Sequence, residues 1–354
     1  GIMAFTSVQG KVMHPSKRVE ITGNTITECC RVNTDQLCGG IIWEAGEEVL
    51  IARNRVIDCA VNMNPVVGIL VRRTSGATIT ENVVEGNGIS TQGDKVGQFQ
   101  AGIAALHVLP GKAEWKSDNK NPAVPTHAVK VHGNTVSTPA GPAVWALGIG
   151  PMSVSDNTLV SQGVYKQAYD YEVIHVEQTV WDLAQRGSVI SVLNIGLALE
   201  FNAPVASNAS DAVRDILTYM SQMEGLLRQT GFGRIPGSVQ CTDNQVHFSC
   251  EVNDAGIKNL SNTFIVSLDD VRLQDNTIRC DLRGSQTFAN RVYALTAGIG
   301  GNRFQEGSNE VNASLLAIAG WLNMTDNIAT HCLIGLVPTA ARKKIDGNLI
   351  MLND

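Results

Sequence analysis

An asparagine set just before a short apolar stretch recurs along this chain, and no other feature narrows its fold as far. It appears in "ITGNTI" (Asn24), "IARNRVI" (Asn54), "TITENVV" (Asn82), "KVHGNTV" (Asn134) and "SVSDNTLV" (Asn157). After a gap it returns in "VQCTDNQV" (Asn244), "VRLQDNTI" (Asn276), "GIGGNRF" (Asn302), "NMTDNIA" (Asn327) and "KKIDGNLI" (Asn348). Successive spacings are 30, 28, 52, 23, 87, 32, 26, 25 and 21 residues, so 52 is expected to hold two periods. Repeats of this length with strand-type alternation on both sides mark a coil of short strands that bury their apolar face by stacking on one another. In "VRLQDNTIRC", Val271 and Leu273 face one way, and Ile278 and Cys280 face the same interior after the corner.

The asparagine has two physical qualifications for such a corner. It tolerates left-handed backbone geometry, and its amide can pair with the amide of the next rung, turning a buried polar row into a satisfied ladder. The expected fold is therefore all-β: a parallel β-solenoid with an Asn ladder, organised as one continuous coil. Rungs are expected over 1–164, an irregular segment with strands over 165–237, and rungs again over 238–354. In the irregular segment, Val213, Ile216, Leu217, Met220, Met223, Leu226 and Leu227 fall at helical spacing and predict an amphipathic helix at about 210–230, packed on the solenoid. Upstream of it, the β-rich stretches around Arg186 and Gly187 read either as rungs without Asn or as a hairpin. Long polar, Gly- and Pro-rich loops are expected within 86–129.

Cysteines follow the same repeat. Cys29, Cys59, Cys250, Cys280 and Cys332 lie 4 to 6 residues after their Asn, which predicts a column of small buried side chains at similar interior positions. There is no CxxC pair and no zinc-type Cys/His spacing, so no metal is expected. Free thiols favour a reducing compartment, and the start "GIMAFTSVQG" shows no signal-peptide pattern. Composition excludes little else. With 27 basic and 33 acidic residues, the net charge of −6 provides no field for nucleic acid, and no apolar run reaches the roughly 20 residues of a membrane-spanning helix.

Over nearly its whole length the repeat pattern resembles the right-handed parallel β-helix (pectin-lyase-like) superfamily, which includes pectate lyases, polygalacturonases, alginate epimerases and phage tailspikes. A closer resemblance, carried by "VISVLNIGLALEF", "VQCTDNQVHF", "IVSLDDVRLQDN" and "TDNIATHCLI", is to uncharacterised bacterial right-handed β-helix repeat proteins. That group looks accessory or structural, with links to phage-tail-like assemblies, and it supplies no activity or cofactor to carry over.

Catalysis has to be sought in particular residues. Glycoside hydrolysis needs two carboxyl groups across the bond, and the weak candidates are Asp269 and Asp270 in "SLDDVRL", of which one is expected to face a turn and the other outward. The Gly-His-Gly and Arg-Ile-Lys motifs of polygalacturonases and the Asp-Pro-His motif of epimerases are absent. His132 and His331 hold rung positions, and His331 and Cys332, being adjacent on a strand, face opposite ways. "GFGRIPG" at 231–237 lacks the context of a phosphate loop and reads as a helix stop. Arg72-Arg73 and "ARKK" at 341–344 read as solvated surface. In the 86–129 loops, Trp115, Lys112, Lys116, Lys120 and His127 are the groups able to meet a sugar or an acidic chain.

The sequence thus points to a non-enzymatic structural or binding solenoid in a larger extracellular or phage-tail-like assembly. The alternative is a polysaccharide-active lyase or hydrolase, or a glycan-binding protein. Expected partners are proteins of the assembly or a polysaccharide, with a second copy or flanking domains covering the solenoid ends.

Overall fold

The computed structural model describes the chain except residues 5–7, 10–11, 14, 31–37, 62–65, 89–99, 112–125, 164–187, 197–234, 250–260, 282–289, 307–314, 331–333, 337–341 and 352–354. The described residues form strands, turns and bends and include no helix. The expected helix at about 210–230 lies outside them, as do Cys250, His331 and Cys332.

Strands pair into three parallel ladders of ten members each, visited in rotation. A representative pass runs through Cys38–Glu44 in the first ladder, Gly46–Ala52 in the second and Arg55–Ile57 in the third, then returns at Val66–Arg72 to the first. Each pass pairs in register with the next: Ile41 with Ile69, Val49 with Ala77, and Val56 with Val84. Asn290–Gly300 and Leu315–Thr325 are long enough to serve the first and second ladders without a break. One pair departs from this pattern, the antiparallel Val8–Gln9 and Val12–Met13.

The register corrects the sequence period. Asn82 pairs directly with Asn134, so the spacing of 52 is one rung, with Gln100–Val108 as its first-ladder strand. The spacing of 87 is also one rung: Asn157 pairs with Asn244, and Ile190–Asn194 fills the first ladder between Val144–Gly148 and Thr263–Ser267. The later β-rich stretch near Gly187 is therefore a rung strand. The first lies outside the described residues.

Alternation within each strand supplies the core. One second-ladder column reads Ile21, Ile51, Ile79, Val131, Val154, Cys241, Leu273, Ile299 and Met324, each buried. Val271, Leu273, Ile278 and Cys280 share the interior as their alternation predicts. On the last described rung the neighbouring column, apolar in the nine rungs before it, places exposed Lys343 against Leu322.

All ten asparagines join one unbroken ladder. Asn82 shows the pattern. Its Nδ2 donates to Ile51 O and Thr80 O, both at 2.9 Å, and to Asn134 Oδ1 at 3.0 Å. Its Oδ1 accepts from Asn54 N at 2.9 Å and Asn54 Nδ2 at 3.0 Å. Every polar atom of the amide therefore has a partner, which is what burial requires.

The left-handed conformation does not fall on the asparagine. It falls on the residue before it, with φ between 55 and 69° at Gly23, Arg53, Glu81, Gly133, Asp156, Asp243, Asp275, Gly301, Asp326 and Gly347. Four of these are glycine and four aspartate, the residues that enter this region at least cost. The shape is demanding at Gly301, where an added Cβ would lie 2.1 Å from Asp275 Oδ1 of the preceding rung.

The cysteine column is shorter than its spacing suggests. Cys29 and Cys59 fall in one column, but Cys280 stacks between Phe248 and Glu306 in another, because it lies four residues past its Asn where the other two lie five. The six described cysteines are free thiols.

Asn244→Ala, 1% exposed in wild type, removes the acceptor of both Asn157 N and Asn157 Nδ2. It should cost about 3 kcal/mol, whereas Asn24→Ala on the half-exposed first rung should cost under about 1 kcal/mol. Equilibrium denaturation of the two variants checks the difference, and equal costs would remove the ladder from the account.

Candidate functional site

The three ladders differ in what they leave open. First-ladder strands of the middle rungs are buried on both faces: outward-facing Ile42, Leu70, Ala104 and Trp145 form one apolar cluster, and Leu147, Leu193, Phe264 and Val266 form another. Parallel strands covered on both sides carry such continuous apolar runs. Groups able to meet a partner therefore lie on the outer faces of the second and third ladders and at the corners.

At one corner, Ser267 Oγ donates to Gly237 O at 2.5 Å and accepts from Asp269 N at 3.0 Å. Asp269 Oδ2 accepts from Gly237 N at 3.1 Å. Burial raises the Asp269 carboxyl above its ordinary value of 3.8; the Gly237 N–H partly offsets this, and the Asp270 charge adds to it. Asp270 opens the Asp270–Gln274 strand and uses different partners. Its Oδ1 accepts from Thr296 Oγ1 at 2.9 Å, and its Oδ2 lies 3.4 Å from Arg272 Nε. One carboxylate is thus engaged with turn backbone and the other with the outer face of the second ladder. This is a braced corner with one ion pair.

Two imidazole–carboxylate pairs also form. His132 Nδ1 lies 3.1 Å from both Ser155 Oγ and Asp156 Oδ2. A nucleophile relay needs the serine and the carboxylate on opposite ring nitrogens, and here both meet the same one. On the third ladder, His247 Nε2 lies 2.7 Å from Asp281 Oδ2, whose other oxygen accepts from Arg279 Nε at 3.1 Å. Burial alone would raise the Asp281 carboxyl, but the hydrogen bonds from His247 and Arg279 outweigh it and hold the group below 3.8. Sequence reasoning missed this cluster. The signal was present, since His247 and Arg279 each lie three residues past their Asn and stack in register.

Among the loop residues expected to bind, Trp115, Lys112, Lys116 and Lys120 lie outside the described residues. His127 is exposed just before the Val129–His132 strand. Arg72 is not simply solvated: in-register stacking sets it over Glu44, and its Nε donates to Glu44 Oε1 at 2.8 Å, with Arg73 Nη1 3.5 Å from the same oxygen. Lys343 and Lys344 are exposed. Among the described residues, no group of three or more His, Cys, Asp or Glu is placed to hold a metal ion, and no helix is long and apolar enough to cross a membrane.

No protein-family model, curated protein or solved structure matches this chain.

Because Asp281 is depressed in the fold, its contribution to stability is present above the unfolded carboxyl value and is lost as pH falls through the lower folded one. Wild type should exceed Asp281→Asn by under about 1 kcal/mol near pH 6, a partly exposed pair being screened by solvent. The gap should close below pH 3.8. Urea titrations across that range read it directly.

Proposed function

We propose that the chain is a right-handed parallel β-helix of the pectin-lyase-like kind that serves as a structural or binding rod in a larger extracellular or phage-tail-like assembly, with no catalysis of its own. The observation that carries this reading is the chemistry of the third-ladder outer face. One outward column places Thr25, Arg55, Val83, Thr135, Thr158 and Gln245 in register. It continues through Thr277, Arg303, Ile328 and Leu349, so Arg55 and Arg303 are its charged members. That column is regular and mostly uncharged, with rungs about 4.8 Å apart.

A sugar-binding face would stack aromatic rings along such a column, and a polysaccharide lyase would set acidic and basic groups at a fixed rung position. Among the described residues no aromatic ring of Phe, Tyr or Trp faces outward in these columns, and the in-register His247 and Arg279 are taken up in pairs with Asp281. A protein partner presenting its own regular polar surface suits this face better. The braced Asp269–Asp270 corner, with one carboxyl raised, is the feature that favours the carbohydrate-active alternative.

A panel of acidic and neutral polysaccharides, followed for unsaturated products and for new reducing ends, separates the two. The proposal predicts no turnover by the folded protein. Turnover abolished in Asp269→Asn or Asp270→Asn would replace it with a carbohydrate-active enzyme.

A further inference from the structure

A second, shorter side-chain stack runs beside the Asn ladder at the corner after the third-ladder strands of the first three rungs. The triplets Glu28-Cys29-Cys30, Asp58-Cys59-Ala60 and Gly86-Asn87-Gly88 occupy it. In each, the first and last residues are left-handed, with φ of 53 and 57°, 52 and 55°, and 64 and 99°. The middle residues lie side by side on the inner side of the stack, Cys59 and Asn87 both buried. Cys59 N donates to Asn87 Oδ1 at 3.0 Å, as each ladder Asn does to the next. Ala60 N donates to Cys29 O at 2.7 Å, which fixes the first two triplets side by side. The Cys59 thiol donates to Ile57 O at 3.6 Å, and Cys29 packs against the core cluster that holds Cys59.

Adjacent rungs are about 4.8 Å apart, within the roughly 4.4–6.8 Å between Cα atoms that a disulfide spans. Cys30 is turned away from this stack. Its thiol donates to Gly39 O at 3.6 Å and it packs with Cys38, Ala60 and Val66. Cys29 is half-exposed while Cys59 is fully buried.

We propose that Cys29 and Cys59 form a peroxide-sensitive pair whose oxidation to a disulfide ties the first rung to the second. Cys29 is the sulfur a peroxide can reach. It attacks one peroxide oxygen, becoming a sulfenic acid and releasing water. The Cys59 sulfur then displaces the sulfenic oxygen, which leaves as a second water once it has taken up the proton lost from Cys59. Two thiols lose two electrons and two protons, and one hydrogen peroxide becomes two waters. Burial pushes the Cys59 thiol up to about 11, so it stays inert toward bulk reagents and is left to react with the sulfenic acid on the adjoining rung.

The test treats the folded protein with hydrogen peroxide, quenches free thiols and maps tryptic peptides. The expected product is a cross-link between the peptides 19–31 and 56–72, with two thiols lost and amide exchange in the first rung slowed at least tenfold. Cys30→Ser, which removes the only other sulfur of peptide 19–31, should keep this cross-link in full. Cys59→Ala should abolish it and leave Cys29 as a sulfenic acid that dimedone traps. A cross-link of Cys30 to Cys29 or Cys38, one that disappears in Cys30→Ser, or a wild-type protein whose Cys29 oxidises while Cys59 stays a thiol, would each overturn the proposal.

Discussion

The Asn ladder is the interaction on which the remaining structure depends. A parallel coil must turn its backbone at every corner, and each turn strands polar groups close to the core. Here one residue type answers at all ten corners. Its amide binds carbonyls of its own rung and the preceding one and extends to the amide of the next. Nine side-chain bonds of 2.8 to 3.0 Å join the ten residues without a gap. The register of the three ladders follows, because a slip of one residue would both break this row and turn every core side chain outward.

Given that register, insertions become harmless. The rungs from Asn82 to Asn134 and from Asn157 to Asn244 carry the longest excursions of the chain, yet the ladder bonds across them are 3.0 and 2.9 Å. Loop-closure entropy rises only slowly with length, so a stacked coil can carry long connections wherever its corners stay fixed. The same logic divides the surface. In its middle rungs the first ladder hides both faces in apolar clusters, while the second and third present Thr, Ser, Gln and scattered ion pairs to solvent. A rod built this way has an interior set by repetition and an exterior free to vary.

Much of this was legible in the residues, although not always for the right reason. The alternation in "VRLQDNTIRC" predicted the burial of Val271, Leu273, Ile278 and Cys280, and the recurring asparagines predicted the ladder that joins them. The Gly or Asp before most of those asparagines was visible too, but its meaning was not: the left-handed residue is that one, which frees the Asn side chain for pairing. Spacing alone misread 52 residues as two periods, since an inserted segment and an extra rung have the same length and only strand pairing tells them apart. It also placed Cys280 in a column with Cys29 and Cys59, where a difference of one residue after the corner is enough to move a side chain elsewhere. The His247–Asp281–Arg279 cluster was missed because His247 lies 34 residues before Asp281 and the two meet only through stacking. The helix expected at about 210–230 and the loop residues Trp115, Lys112 and Lys116 lie outside the described residues.

The most direct test of the central claim is hydrogen exchange at the asparagine side-chain amides, followed residue by residue by NMR. Nδ2 protons of the eight interior members, Asn54 to Asn327, should exchange orders of magnitude more slowly than those of the half-exposed end members Asn24 and Asn348. Side-chain amides that all exchange at the rate of free asparagine would contradict a continuous ladder, and with it the register that organises the whole chain.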